Sequence, residues 1–344
     1  MKIRTIIELL DKKVYEYGDN YPIDLTNGIM GHCIYFYHIS RISDNMEYHK
    51  RAELLMNELF KQITKVKMFD IKCGLAGIGL GIDYLIESGY VEGDINDILG
   101  GVDDILFKKI CNPEKSDSND ILLQLHLIYY FSVRLKKQNK NSENEFLFRE
   151  SIINAINFIS EKIYSFFLEE SRSFNFDDSS ILSLLVLNQC GELYKEKVYR
   201  ILKDISFYVL SKIPVLHSNR LHLLYSMDRV NKKIETKGWN EHMKLLARES
   251  DIECIIENEL ADDIYFSNGL SAIYFLLSCL RNYFSSDQIY KYKGLIVNKI
   301  ENSLLWGRLI DDEEFLKLND GLFSGYKGVS LLLHKHYDDE NRFN

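Results

Sequence analysis

The sequence predicts an all-α fold: an α/α toroid of about seven helical hairpins. Three observations carry this expectation. Four small-residue turns of the form G-x-x-[G/A] each open a nearly all-apolar helical run, and they recur at similar intervals. Between them lie stretches with apolar residues at helical spacing on one face. A helix apolar on every side is buried on every side, so the amphipathic partner covers it and faces water. An inner circle of buried helices wrapped by an outer circle satisfies both kinds. An open helical solenoid is the rival, but its repeats are usually shorter, about 34–47 residues.

Taken in order, Met1 to Gly18 carries a short apolar patch flanked by charges and no small-residue cleavage site, so it reads as a first helix and not a secretion signal. Asn27-Gly28-Ile29-Met30-Gly31 leads into Cys33 to Ile39, and Cys73-Gly74-Leu75-Ala76-Gly77 into Ile78 to Ile86. Asn268-Gly269-Leu270-Ser271-Ala272 opens Ile273 to Leu280, and Ser324-Gly325-Tyr326-Lys327-Gly328 opens Val329 to His334.

The step from Gly28 to Gly74 is 46 residues and that from Gly269 to Gly325 is 56. The 195 residues between Gly74 and Gly269 hold about four such steps. Three glycine-poor units fill that interval on the apolar runs Ile121 to Val133, Ile181 to Leu187 and Leu221 to Met227. Outer-helix stripes are visible in Ile152, Ile153, Ile156, Ile159 and Ile163, and in Val198, Ile201, Leu202 and Ile205. Pro22, Pro113 and Pro214 all fall between predicted helices. With one repeat running through the chain, residues 1–344 read as a single domain.

Composition narrows function. The chain is 46% apolar and 27% charged, with a formal charge of −9, which excludes a strongly basic nucleic-acid surface. No run of about 18 apolar residues occurs, so no transmembrane segment is expected and the location reads as cytoplasmic. The six cysteines form no CxxC and read as mostly buried, reduced thiols. The acidic runs Asp311 to Glu314 and Asp338 to Glu340 and the basic run Lys136 to Lys140 read as solvated segments.

The repeat glycines have two readings. They are packing devices that let backbones approach closely or take a positive φ. They also place Asn27, Cys73, Asn268 and Ser324, each just before a repeat Gly, at the positive ends of helices facing a central cavity. A phosphate loop is a poor reading, since no GxxxxGK[ST] is present.

Seven such units, with CGLAGIGLGIDYLIESGYVEGD (Cys73 to Asp94) the most specific segment, resemble the lanthionine synthetase C-like proteins. The likeness is strong in the first two and last two units. In cyclases of that family a Cys of the fifth turn and a Cys-His pair of the sixth hold zinc. The open fourth position takes a substrate thiolate for addition to a dehydrated Ser or Thr.

Under that resemblance Ser267 and Asn268 stand where the family has Cys and His, and Leu224, followed by Tyr225, stands for the fifth-turn Cys. No His occurs between His126 and His217, where the family has a further active-site His. Hydroxyl, amide and methyl groups do not replace thiolate and imidazole on zinc. No metal or other cofactor is therefore expected, unless Cys73 and His222 rebuild a site. His32 and His38, like His334 and His336, do not share a helix face.

Three functions follow. The first is a non-catalytic scaffold that binds a precursor peptide, or another enzyme of a peptide-modifying complex, through the cavity mouth at Asn27, Cys73, Tyr225, Ser267, Asn268 and Ser324. The second is a zinc-dependent cyclase with atypical ligands. The third is a carbohydrate-active toroid using paired carboxylates, with Asp177, Asp178, Asp262, Asp263 and Asp320 as candidates; the same residues also read as helix caps.

Overall fold

The computed structural model describes residues 3–13, 21–113, 118–168, 174–176 and 178–343, and among them every regular element is a helix. None of these helices is long and apolar enough to cross a membrane. Seven helices bury most of their described side chains: Ile29–Ser43, Leu75–Glu87, Ser118–Leu135, Ser179–Cys190, His217–Asn231, Leu270–Cys279 and Tyr326–Phe343. Each packs against the next in chain order, and Tyr326–Phe343 packs back against Ile29–Ser43.

Six of the seven are followed by a covering helix. Met46–Gln62 packs on Ile29–Ser43, Ile95–Cys111 on Leu75–Glu87, and Glu143–Ser160 on Ser118–Leu135. Lys195–Leu210, Trp239–Arg248 and Ser286–Glu301 do the same for the next three. Met46–Gln62 buries Ala52, Leu55, Met56 and Leu59, the i, i+3, i+4, i+7 stripe of a half-buried helix. Lys195–Leu210 buries Val198, Ile201, Leu202 and Ile205 as expected; in the other predicted stripe Ile153 alone stays half-buried.

The first and last units meet through the N-terminal helix Ile3–Lys12. Asp11 accepts hydrogen bonds from Tyr35 (2.8 Å) and Tyr326 (3.0 Å), and the Arg4 guanidinium lies 4.7 Å over the Tyr337 ring. Beside it, buried Lys327 donates to the Asp320 carbonyl (2.9 Å) and lies 3.3 Å from its Oδ2. The Tyr21 hydroxyl donates to the same carboxylate (2.9 Å), and His32 Nε2 lies 3.4 Å from Oδ1. Burial alone would raise the Asp320 carboxyl, but Lys327 and His32 outweigh it and hold it down at about 2. Burial, reinforced by Lys327, pushes His32 down to about 4, so the ring is neutral near pH 7 and Lys327 is the cation of the pair.

The glycine turns have one shared geometry. The first helical N–H reaches back seven residues in all four: Ile29 to Pro22, Leu75 to Met68, Leu270 to Asp263 and Tyr326 to Asn319. The preceding loop therefore wraps the first turn of its helix, and Gly74 and Gly77 sit where it presses closest. A Cβ on Gly74 would lie 2.5 Å from the Asp70 nitrogen, and one on Gly77 would collide with the Ile71 carbonyl. Gly74 has φ −116°, so the expectation of a positive φ is corrected: close approach is what requires glycine.

Candidate functional site: an aromatic cavity at the turns

The loops that wrap these helices are tied to one another. Phe266 and Ser267 donate their N–H groups to the Phe323 carbonyl (3.1 and 2.9 Å). Leu322 and Phe323 donate to the Thr26 carbonyl (2.9 and 3.2 Å), and the Thr26 hydroxyl donates to the Lys72 carbonyl (3.3 Å). Within three of these loops an aspartate braces the backbone. Asp24 Oδ1 accepts from the Thr26 and Asn27 N–H groups, Asp70 Oδ1 from those of Lys72 and Cys73, and Asp263 Oδ1 from that of Tyr265. These aspartates lie four residues before the repeat Gly in the first two turns and six before it in the sixth, a pattern the sequence reading did not use.

The tied loops surround a cavity of about 600 Å³. Asn27, Cys73, Tyr225, Ser267 and Ser324 all line it. Asn268 does not: it is exposed, and its side-chain oxygen accepts from Asn175. Ser267 and Ser324 face each other at 3.4 Å between hydroxyl oxygens.

Aromatic rings dominate the wall. Phe176 meets Tyr225 at 5.9 Å between ring centroids and 90°, and Tyr225 meets Phe275 at 5.9 Å and 69°. Phe266 continues the chain, 5.7 Å from Phe275 and 6.0 Å from Phe323. Edge-to-face contacts of this kind fix the rings relative to one another, so the wall is formed before any ligand arrives. Sequence reasoning found Tyr225 but missed these phenylalanines, because aromatic residues at helical spacing read as core.

Lys72, Cys73 and His126 add basic, thiol and imidazole groups to a lining that already holds Asn27, Ser267 and Ser324. Burial first, then the Asp24 and Asp70 carboxylates, raise the Cys73 thiol above its ordinary value. That favours the thiol over the thiolate which nucleophiles and metal ligands require.

The fifth turn differs from the sequence expectation. Leu223 to Ser226 lie inside the helix His217–Asn231, whose N-cap is Leu216. Leu224 is therefore a buried core residue and not a turn residue, and Pro214, Val215 and Leu216 form the approach to this helix. A glycine-free helical start gave the sequence no marker for the true boundary.

His222 is also placed differently from a cavity ligand. Its ring is buried edge-on behind Phe176 at 4.9 Å, its Nδ1 lies 3.0 Å from the Ser218 carbonyl, and it is not part of the cavity wall. Burial pushes it down to about 4.

None of the described carboxylates proposed for glycoside chemistry lines this cavity. Asp178 caps Ser179–Cys190 through the Ser180 and Ile181 N–H groups, Asp263 braces its loop, and Asp320 is engaged by Lys327. Asp262 borders a separate cleft, and Asp177 lies outside the described residues.

Compared with known proteins, the chain matches no family model and no curated protein.

Proposed function

We propose that this chain is a degenerate lanthionine synthetase C-like protein. In this reading residues 1–344 form one α/α toroid that works in the cytoplasm of a lanthipeptide-type pathway. It binds a precursor peptide in the cavity and catalyses nothing itself. The ordered packing of seven buried helices, each on the next and the last on the first, supports the double-ring architecture.

The observation that carries the binding role is the preformed aromatic wall at the tied loops, on a site whose turn residues are Ser267 and Asn268. Aromatic side chains give large contact area for little lost conformational freedom, which suits peptide capture. A partner enzyme engaging the same mouth is the companion form of this proposal.

Two other readings have less support. A cyclase with atypical zinc ligands at Cys73 and His222 would need His222 to leave its place behind Phe176. A carbohydrate-active enzyme would need an acid and base pair in the cavity, and the described candidates serve as caps, loop braces or an ion-pair partner.

The test is fluorescence anisotropy with a labelled leader-and-core peptide that carries dehydrated residues and cysteines. Ring closure is mass-neutral, so free thiols are counted by alkylation in the same samples. Saturable binding with an unchanged thiol count is expected. Steady loss of thiols would replace the scaffold with a cyclase, and absence of binding at about 1 mM, the weak end of the affinity scale, would remove the peptide role.

A further inference from the structure

His222 is 2% exposed, and its Nε2 has no hydrogen-bond partner among the described residues. Its Nδ1 lies 3.0 Å from the Ser218 carbonyl, which can only accept, so Nδ1 carries the ring proton. Burial keeps the ring neutral near pH 7. Nε2 is therefore a buried lone pair with no donor. Leaving such a group unmet costs free energy comparable to a lost hydrogen bond, and native structures seldom do so without a reason.

This acceptor stands directly behind the cavity wall. His222 and Tyr225 are three residues apart in His217–Asn231 and share a helix face, and Tyr225 lines the cavity. Phe176, which also lines the cavity, covers the His222 ring at 4.9 Å and 76°. A water is a poor partner at Nε2, because it needs two to four polar contacts and the neighbouring ring offers none.

Phe176 differs from the other wall rings in what supports it. Tyr225 and Phe275 belong to buried helices, and Phe266 and Phe323 to the tied loops. Phe176 lies on neither, and its backbone makes no hydrogen bond among the described residues. Ring contacts hold it: His222 on one side, then Tyr225 at 5.9 Å and Phe275 at 6.2 Å. Another ring could make the same contacts, and the cavity of about 600 Å³ gives a displaced Phe176 side chain room.

We propose that the Phe176 position is a subsite for a ligand aromatic ring bearing an O–H or N–H, a tyrosine or tryptophan side chain of the bound peptide. The incoming ring replaces Phe176 against Tyr225 and Phe275, and its O–H or N–H donates to His222 Nε2. A phenylalanine fits the same space but leaves Nε2 unmet. Selection therefore rests on one polar atom, the kind of contact that discriminates better than apolar shape. This subsite depends on the peptide-binding role proposed above and gives that peptide a required side chain.

The experiment uses three labelled leader-and-core peptides whose one aromatic residue is Tyr, Trp or Phe. Fluorescence anisotropy is measured with the full-length wild type, His222→Phe and Phe176→Ala. Wild type is expected to bind the better of the Tyr and Trp peptides about tenfold more tightly than the Phe peptide. His222→Phe is expected to bind all three alike, while Phe176→Ala keeps the preference. A further readout needs no variant and decides if His222→Phe fails to fold: the ¹⁵N signal of His222 Nε2 moves upfield as it accepts a hydrogen bond from the preferred peptide. Equal affinities in wild type, a preference that survives in His222→Phe, or an unmoved ¹⁵N signal overturns the proposal and leaves peptide binding intact. If no peptide binds at about 1 mM, the peptide role itself falls. The same ¹⁵N signal with p-cresol against toluene then decides the subsite alone: movement with p-cresol only supports it, and no movement overturns it.

Discussion

Lys327 and Asp320 form an ion pair with both side chains 1% exposed, Nζ 3.3 Å from Oδ2, where the last unit meets the first. Removing one partner strands the other's charge away from water. Lys327→Met is therefore expected to cost about 3–5 kcal/mol in urea unfolding, while adding Asp320→Leu to it recovers part of the loss. A cost under about 1 kcal/mol for the single change would show that the pair does not hold this junction.

Acid weakens the fold in two stages. His32 and His222 ordinarily titrate at 6.5 but are pushed to about 4 in the folded chain, so between those values the unfolded chain binds more protons. Stability therefore falls as pH drops through that window, by up to about 3 kcal/mol per histidine. Asp320, held at about 2 against an ordinary 3.8, contributes stability that is lost only below that ordinary value. A Tm series from pH 7 to pH 4.5 is expected to slope downward, and to slope less in His222→Leu. A flat series would contradict both histidine placements.

Two glycine substitutions are expected to move stability in opposite directions. At Gly77 the added methyl meets the Ile71 carbonyl, so Gly77→Ala costs about 2–3 kcal/mol. Gly101 is an exposed residue inside Ile95–Cys111 with nothing within 4 Å of its Cβ position, so Gly101→Ala stabilises by about 0.5–1 kcal/mol. Chemical denaturation of both variants checks the pair.

Thiol labelling should divide the cysteines by place. Cys73 and Cys111 are exposed and are expected to react in the folded protein, faster as pH rises because the thiolate is the nucleophile, and more slowly than a free thiol because partial desolvation lifts both above their ordinary value. Cys33 and Cys190 are buried and are expected to stay protected until unfolding. Peptide mapping after iodoacetamide reads each site, and early labelling of Cys190 would contradict its burial.

Phe275→Ala removes the ring that joins Tyr225 to Phe266. Peptide affinity is expected to fall about 10- to 100-fold, as for a central aromatic anchor. Anisotropy titration checks this, and an unchanged Kd would place the peptide elsewhere.

The all-helical character was legible in the sequence because apolar residues at helical spacing, separated by glycine turns, leave no other fold class. The turns of the first two and last two units were found because close backbone approach demands glycine there, at Gly74 and Gly77 for instance. Where a carboxylate caps the helix start instead, the marker vanishes. Asp178 does this within its own turn, while Glu259 does it for His217–Asn231 from 42 residues away. The sequence boundary at Leu224 failed for that reason.

The Asp11 to Tyr326 hydrogen bond also bears on biosynthesis. At about 5–20 residues per second, a ribosome that has made Asp11 needs roughly 15–60 s to reach Tyr326. Throughout that interval the nascent chain carries Asp11 and His32 without the C-terminal helix that buries them. The early units must therefore persist as an open, incompletely shielded arc, which is the stage at which a chaperone would find them.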